Sequence, residues 1–163
     1  MKNGYKVMSI FLFLFLSPLL HADEVDSSKE KEKCVKLLQT NGSIKNVCDK
    51  AGKPYLLLEF FSVRSQDSID SIQKFKALEK ATAFFAHSRL ISLSGILETW
   101  KFARQYDIKS DISLDLINAA KRGFDVHALP TVFVLNSANE IIFTHVGALN
   151  ANVIDEIAEM GNK

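Results

Sequence analysis

The chain has 163 residues, 47% of them apolar and 24% charged, with a formal net charge of +1. That length supports one domain with a buried core, and not comfortably two. A near-neutral balance with no basic tract lacks the electrostatic footprint of a nucleic-acid binder, so no nucleic-acid partner is expected.

The N-terminus reads as a targeting segment outside the fold. Lys2 and Lys6 lead into an apolar stretch, Val7 to Leu20, broken by Ser9, Ser17 and Pro18. Leu20-His21-Ala22 offers a cleavage site, and acidic Asp23 and Glu24 follow at once. The uninterrupted apolar run is short for a bilayer crossing. The expectation is a signal peptide over residues 1–22 and a periplasmic or secreted chain with no stable membrane insertion after cleavage. An uncleaved anchor is the alternative. With no cysteine beside the cleavage site, a lipoprotein is not expected.

Export places the two cysteines, Cys34 and Cys48, in an oxidising compartment, where they have one possible intramolecular pairing. A structural disulfide is the first reading, and closing this loop would stabilise the fold by about 3 kcal/mol. A redox-active pair and two free thiols are the alternatives.

Asp23 to Lys33 is a charged, serine-rich lead-in. A helix is expected from Ser28, carrying Val35, Leu37 and Leu38 and stopping at Asn41-Gly42, with a second short helical piece from Ser43 to Lys50. Residues 23–52 are thus expected to form a helical lead-in and residues 53–163 the main domain. Tyr55 to Phe61 is apolar except for Glu59, the pattern of a strand covered on both faces. From Asp67 the period changes: Ile69, Ile72, Phe75, Leu78, Thr82 and Phe85 mark one face of a long helix.

Arg89 to Ile96 suggests another strand, and Leu97–Tyr106 and Leu114–Arg122 suggest helices. Thr131–Leu135 and Glu140–Val146 read as an antiparallel pair joined by a turn at residues 136–139. Asn150 then caps a closing helix carrying Val153, Ile154, Ile157, Ala158 and Met160. The order α-β-α-β-α-α-β-β-α implies an α/β fold, a mixed sheet with helices on both faces.

Two blocks resemble the thioredoxin-like fold. The first is Gly123-Phe124-Asp125-Val126-His127-Ala128-Leu129-Pro130-Thr131-Val132-Phe133-Val134, continued by Glu140 to Leu149 with its Val146-Gly147-Ala148-Leu149 turn. It is similar to the family segment in which a cis proline leads into an edge strand. The second, Leu58-Glu59-Phe60-Phe61-Ser62, resembles the strand that precedes the C-x-x-C motif of periplasmic DsbA-like oxidoreductases. The resemblance implies that Ser65 and Ser68 stand at the two cysteine positions, with Gln66 and Asp67 between them. It places Glu59 on the family's buried acid and Pro130 on its cis proline. Leu129, Pro130 and His127 become a peptide-docking edge, and the excess length around residues 97–122 becomes a helical insertion before the cis-proline strand.

Thiol–disulfide exchange needs a thiolate, and a helix N-terminus supplies only about 1 kcal/mol, far too little to ionise a serine. The redox reaction is therefore lost at Ser65 and Ser68, which serve as helix caps. Ser71-Ile72-Gln73-Lys74 matches S-x-x-K without the companion motifs, and His87, His127 and His145 lack metal-ligand spacing, so neither a nucleophile nor a metal site is expected. Trp100, Phe102 and Tyr106 read as core.

A narrower resemblance, to TrbC-like proteins of conjugative pilus assembly, rests on Phe61-Ser62, Gly95, Asp111-Ile112-Ser113 and Leu129-Pro130. The functional expectation is a redox-inactive thioredoxin-fold protein, without catalytic residues or cofactor, that binds a protein or peptide partner in the cell envelope. It would be an accessory or chaperone-like component of an assembly or secretion system. The alternative is a thiol–disulfide oxidoreductase, or a redox-linked protein, using Cys34 and Cys48.

Overall fold

A computed structural model describes residues 33–162. The expected signal peptide and most of the lead-in lie outside the described residues. Seven strands and four helices follow in chain order: β1 Lys36–Gln39, β2 Ile44–Asn46, β3 Tyr55–Phe61, α1 Gln66–Thr82, β4 Ala86–Ser92 and α2 Ile96–Gln105. Then come β5 Ile112–Leu114, α3 Ala119–Gly123, β6 Thr131–Leu135, β7 Ile141–Val146 and α4 Ala151–Glu159, with a final 3-10 turn at Met160–Asn162. The strands form one mixed sheet in the order β2-β1-β5-β4-β3-β6-β7.

The sheet is built outward from β3, which pairs in parallel with β4 from Tyr55–Ala86 to Phe61–Ser92, and antiparallel with β6 from Leu56–Leu135 to Phe60–Thr131. Six of its seven residues are buried, because each face meets its own apolar layer. Leu57 and Phe61 pack with Ile72, Phe75 and Leu78 of α1, Phe102 of α2 and Ile157 of α4. Leu56, Leu58 and Phe60 pack on the other side with Leu37, Val47, Ala120, Phe124 and Phe133. Helices therefore lie on both faces, as expected, with three on one side and the short α3 on the other.

The expected helical lead-in is corrected: the residues from Lys36 to Asn46 form a β-hairpin, β1–β2, in antiparallel register from Lys36–Asn46 to Leu38–Ile44. Asn41-Gly42, read as a helix stop, is equally a hairpin turn signal. Here Gly42 takes φ +86°, its N–H donates to Gln39 O at 2.9 Å, and the Ser43 N–H donates to Asn41 Oδ1 at 2.8 Å. Leu37 and Gln39 are buried while Lys36 is exposed, the two-residue alternation of a strand.

The insertion is corrected as well. Only part of residues 97–122 is helical, and Ile112–Leu114 is a buried strand, parallel to β4 and antiparallel to β1. β5 therefore joins the hairpin to the sheet, and a buried Gln39–Ser113 side-chain pair at 3.0 Å fixes the seam. β6 is an interior strand, and the edge falls to β7.

The strand expected at Arg89–Ile96 lies three to four residues earlier, at Ala86–Ser92, because Gly95 opens α2; β3, β6, β7 and α4 follow the sequence closely. The Asn150 side chain accepts the Val153 N–H at 3.1 Å, as a cap of α4 should. Phe60 touches Phe124 and Phe133, with ring centroids 5.5 and 5.8 Å apart. We predict that Phe60→Ala lowers stability by about 3–5 kcal/mol, measured by urea denaturation, because no neighbour can close the void between two rings.

Candidate functional site

Parallel β3 and β4 end side by side, and the chain leaves each through serines. Ser65 stands in extended backbone and accepts the Ser68 N–H on its Oγ at 3.3 Å, capping α1. Ser68 is fully buried and its Oγ accepts the Ser62 N–H at 3.3 Å. Gln66 and Asp67 are exposed, and Gln66 Nε2 donates to Asp70 Oδ1 at 2.8 Å.

Across the strand end, Ser94 Oγ accepts the Val63 N–H at 3.1 Å and lies 3.3 Å from Ser62 Oγ, while Ser92 Oγ and Thr99 Oγ1 are 2.7 Å apart. The joint is thus a closed hydroxyl network that satisfies the backbone groups released where two strands and two helices meet. Sequence reasoning found Ser65 and Ser68 and missed Ser92, Ser94 and Thr99; the run Ser92-Leu93-Ser94-Gly95 at a strand end was the available signal.

Glu59 is the buried carboxyl on the strand that leads into this joint. It is fully buried, it shares the α1-facing side of β3 with Leu57 and Phe61, and neither carboxyl oxygen has a hydrogen bond of full geometry. Burial pushes its pKa up to about 8, opposed by the hydroxyl of Ser71, which also accepts the Leu149 N–H at 3.2 Å. Burial prevails because one hydroxyl cannot replace the water shell of a carboxylate.

The Leu129–Pro130 peptide bond is cis. Phe60 is paired with Thr131, so Pro130 sits at the same end of the sheet as Ser62 and Ser65. Pro130 is buried, Leu129 half-buried and His127 exposed, with His127 Nε2 held 3.1 Å from Asp125 Oδ2. The positions assigned by resemblance are therefore brought together, except for His127, which pairs outward.

The sulfurs are elsewhere. Cys34 and Cys48 are joined as a disulfide with Cα atoms 5.1 Å apart, at the open end of the β1–β2 hairpin. The Val47 N–H donates to Val35 O at 2.9 Å, Asn46 Nδ2 donates to Cys34 O at 3.0 Å, and the Cys48 N–H donates to Asn46 Oδ1 at 2.8 Å. β5 and β4 separate β1 from β3, a lateral distance of about 14 Å at ordinary strand spacing. Cys48 is 8% exposed and Cys34 half-buried, and both belong to the apolar cluster that also receives Leu129.

A buried cation serves this region. Arg89, 5% exposed within β4, donates to Asp49 O at 3.3 Å and lies 4.0 Å from Asp49 Oδ2. An arginine inside an apolar strand was a legible signal that sequence reasoning did not use. His87, beside Arg89, has its pKa lowered by burial and then by that cation. Among the described residues no group of three or more His, Cys, Asp and Glu side chains could hold a metal ion.

Two cavities open on the α1–α2 side. One of about 310 Å³ has a floor of Ile72, Phe75, Leu90 and Ile108, and a wider one of about 500 Å³ is lined by Trp100, Arg104, Asp107 and Asp111. Trp100, expected in the core, is 46% exposed, because α2 turns Thr99 and Phe102 inward and leaves Trp100 on its outer stripe.

No family model matches the chain, and no curated protein matches it in sequence. Solved structures do. A thiol-disulfide oxidoreductase from Bacteroides fragilis superimposes with a TM-score of 0.66 at 17% identity over 77% of this chain and 96% of that one. A putative thiol:disulfide interchange protein DsbE from Chlorobium tepidum gives 0.65 at 18% identity over 78% and 91%. The exposed lipoprotein thioredoxin Etrx1 from Streptococcus pneumoniae gives 0.65 at 16% identity over 77% and 98%.

The chain therefore has a thioredoxin-like fold. The expectation of a redox-inactive, polypeptide-binding protein is overturned. The structures sharing the fold bear thiol–disulfide titles, and this chain keeps its own cysteine pair at bonding distance. The absence of sulfur at Ser65 and Ser68 removes one site, and the alternative at Cys34 and Cys48 is the better supported.

Two predictions follow from the joint. Glu59 has a folded pKa of about 8 against an ordinary 4.5, so the folded state retains a proton that the unfolded chain releases. Stability should be highest below about pH 4.5 and fall as pH rises through 8, losing about 5 kcal/mol in full from this group. Glu59→Gln should flatten that slope in denaturation curves taken across the range. Ser65→Ala should cost about 1 kcal/mol through loss of the α1 cap, measured by urea denaturation.

Proposed function

We propose that this chain is a thiol–disulfide exchange protein whose working sulfurs are Cys34 and Cys48. The observation that carries the reading is the bonded pair itself, in which Cys34 is the more exposed residue and Cys48 is 8% exposed, so attack is assigned to Cys34.

The reaction balances as a two-electron transfer to or from a partner protein with two thiols. A partner thiolate attacks Cys34 Sγ, the Cys34–Cys48 bond breaks, and its electron pair leaves on Cys48 as a thiolate. The partner's second thiol, its proton lost to water, then attacks the partner sulfur of the mixed disulfide and releases the Cys34 thiolate. The partner ends as a disulfide, and this chain ends with two reduced cysteines that take up protons. The reverse sequence oxidises this chain.

Cations lower the cost of the intermediate thiolates. Lys36 and Lys45 are exposed on the two strands of the hairpin, and Arg89 anchors the residue after Cys48. A hydroxyl joint at Ser65 and Ser68 beside the cis proline takes no part in sulfur chemistry.

The compartment that fits is extracytoplasmic. An oxidised cysteine pair belongs there, and one of the similar structures is named an exposed lipoprotein. The partner that fits is a cysteine-bearing protein of the cell envelope. A place among TrbC-like proteins rests on the short sequence motifs alone, and the exchange reading does not require it.

The test is the midpoint of the Cys34–Cys48 couple, read by thiol alkylation in glutathione buffers, together with exchange against a reduced dithiol protein. The expected midpoint lies between about −120 and −230 mV, with exchange abolished in Cys34→Ser and in Cys48→Ser. A midpoint below about −300 mV with no exchange would leave a purely structural bond and sink the reading.

A further inference from the structure

Beyond the carboxyl ends of β4 and β5 two loops stand together, tied by the Asp115 N–H donating to Ser92 O at 2.9 Å. One runs through Ser94 and Gly95 into α2, and the other through Leu116 and Ile117 into α3. Between them they expose five large apolar side chains: Ile96, Leu97, Trp100, Leu116 and Ile117, each between 46% and 73% exposed. So much apolar surface in one place is unusual for a protein that meets only water.

Cations surround these tips. Arg104 stacks on the Trp100 ring, 4.7 Å from its centroid, and Lys101 is exposed beside it on α2. Arg122 donates through Nη1 to Ile117 O at 2.8 Å, which sets its charge at the edge of the second loop. Among the described residues four acids lie nearby and each has a partner: Asp107 is paired with Lys109, and Asp111 accepts from Asn41 Nδ2 at 2.7 Å. Glu98 is paired with Arg64 at 2.6 Å, and both carboxyl oxygens of Asp115 accept backbone N–H groups, from Ala119 and Lys121, at 2.7 Å. The patch thus presents apolar tips with basic groups around them.

Its chemistry selects among partners. Ile96, Leu97, Leu116 and Ile117 are not among the residues lining the two cavities on the α1–α2 side, while Trp100 and Arg104 line the wider one. A peptide is recognised in pockets or along a strand edge, whereas a bilayer accepts projecting apolar tips and holds cations at its headgroups. A tryptophan with an arginine stacked on it suits the boundary between the two regions. No helix among the described residues is long and apolar enough to cross a membrane.

We propose that this patch docks the protein on an anionic lipid bilayer. Leu97, Trp100 and Ile117 enter the acyl boundary, and Lys101, Arg104 and Arg122 lie among the headgroups. The inference is independent of the sulfur chemistry.

Trp100 is the single tryptophan of the chain, so its fluorescence reports on this patch and not on the apolar N-terminal stretch. The full chain is titrated with vesicles of phosphatidylglycerol and phosphatidylcholine in equal parts, and with phosphatidylcholine alone, with brominated acyl chains as quenchers. With the anionic vesicles the emission should shift to the blue and be quenched, the effect weakening in neutral vesicles and at high salt. The double variant Leu97→Asp with Ile117→Asp should weaken binding on the order of tenfold, since both side chains leave the acyl boundary.

Vesicle binding without quenching of Trp100 would place the contact elsewhere and overturn the proposal, as would quenching unaffected by the double variant. A concentration-dependent blue shift without lipid, matched by dimer mass in light scattering, would assign the patch to a second copy of the chain instead. Should the double variant fail to fold, the single variants Leu97→Ser and Ile117→Ser supply the same comparison.

Discussion

The structure depends on the burial of β3 from both sides. Tyr55 to Phe61 has no face to give to water, so the chain must supply two apolar layers and a paired strand on each edge. β4 and β6 supply the edges, α1, α2 and α4 cover one face, and α3 with the disulfide-bonded hairpin covers the other. The hairpin cannot be set aside as an appendage, because Leu37 and Val47 complete the second layer against Leu56, Leu58 and Phe60.

That constraint concentrates polar groups at the carboxyl ends of the parallel strands. Backbone groups released there must find partners, and in this chain they find hydroxyls: Ser62, Ser68, Ser92, Ser94 and Thr99. Glu59 is held two residues before the end of β3, in a layer of leucine, isoleucine, valine, alanine and phenylalanine. The helix N-terminus at Ser65 carries a hydroxyl joint, and the chain's two cysteines sit beside β1, three strand spacings from β3. Fold and chemistry are separable in this way because the sheet fixes where chain ends converge, while the side chains at those ends decide what can react.

Much of this was legible in the sequence. β3 and β6 fall on the residues expected, α1 and α4 lie within a few residues of their expected bounds, and Asn150 caps as its position suggested. These elements share long periodic runs with clear stop signals. The short elements misled: Lys36–Gln39, Ile44–Asn46 and Ile112–Leu114 are three or four residues each, too brief for a helical and a strand period to differ. Trp100 misled for another reason, since its apolar character gave no indication of which face of α2 would be turned inward.

The central buried strand, the helix capped by Ser65, the proline that enters β6 and the absence of sulfur at that joint are all written in the residue order. Each follows from residue type and local spacing. Long-range packing settled that the N-terminal segment adds strands to the sheet, that Cys34 and Cys48 close its hairpin, and that neither carboxyl oxygen of Glu59 has a hydrogen bond of full geometry. Only it brought Leu97, Trp100 and Ile117 together on one surface. These depend on which distant segments pack together, and neither local period nor composition encodes that choice.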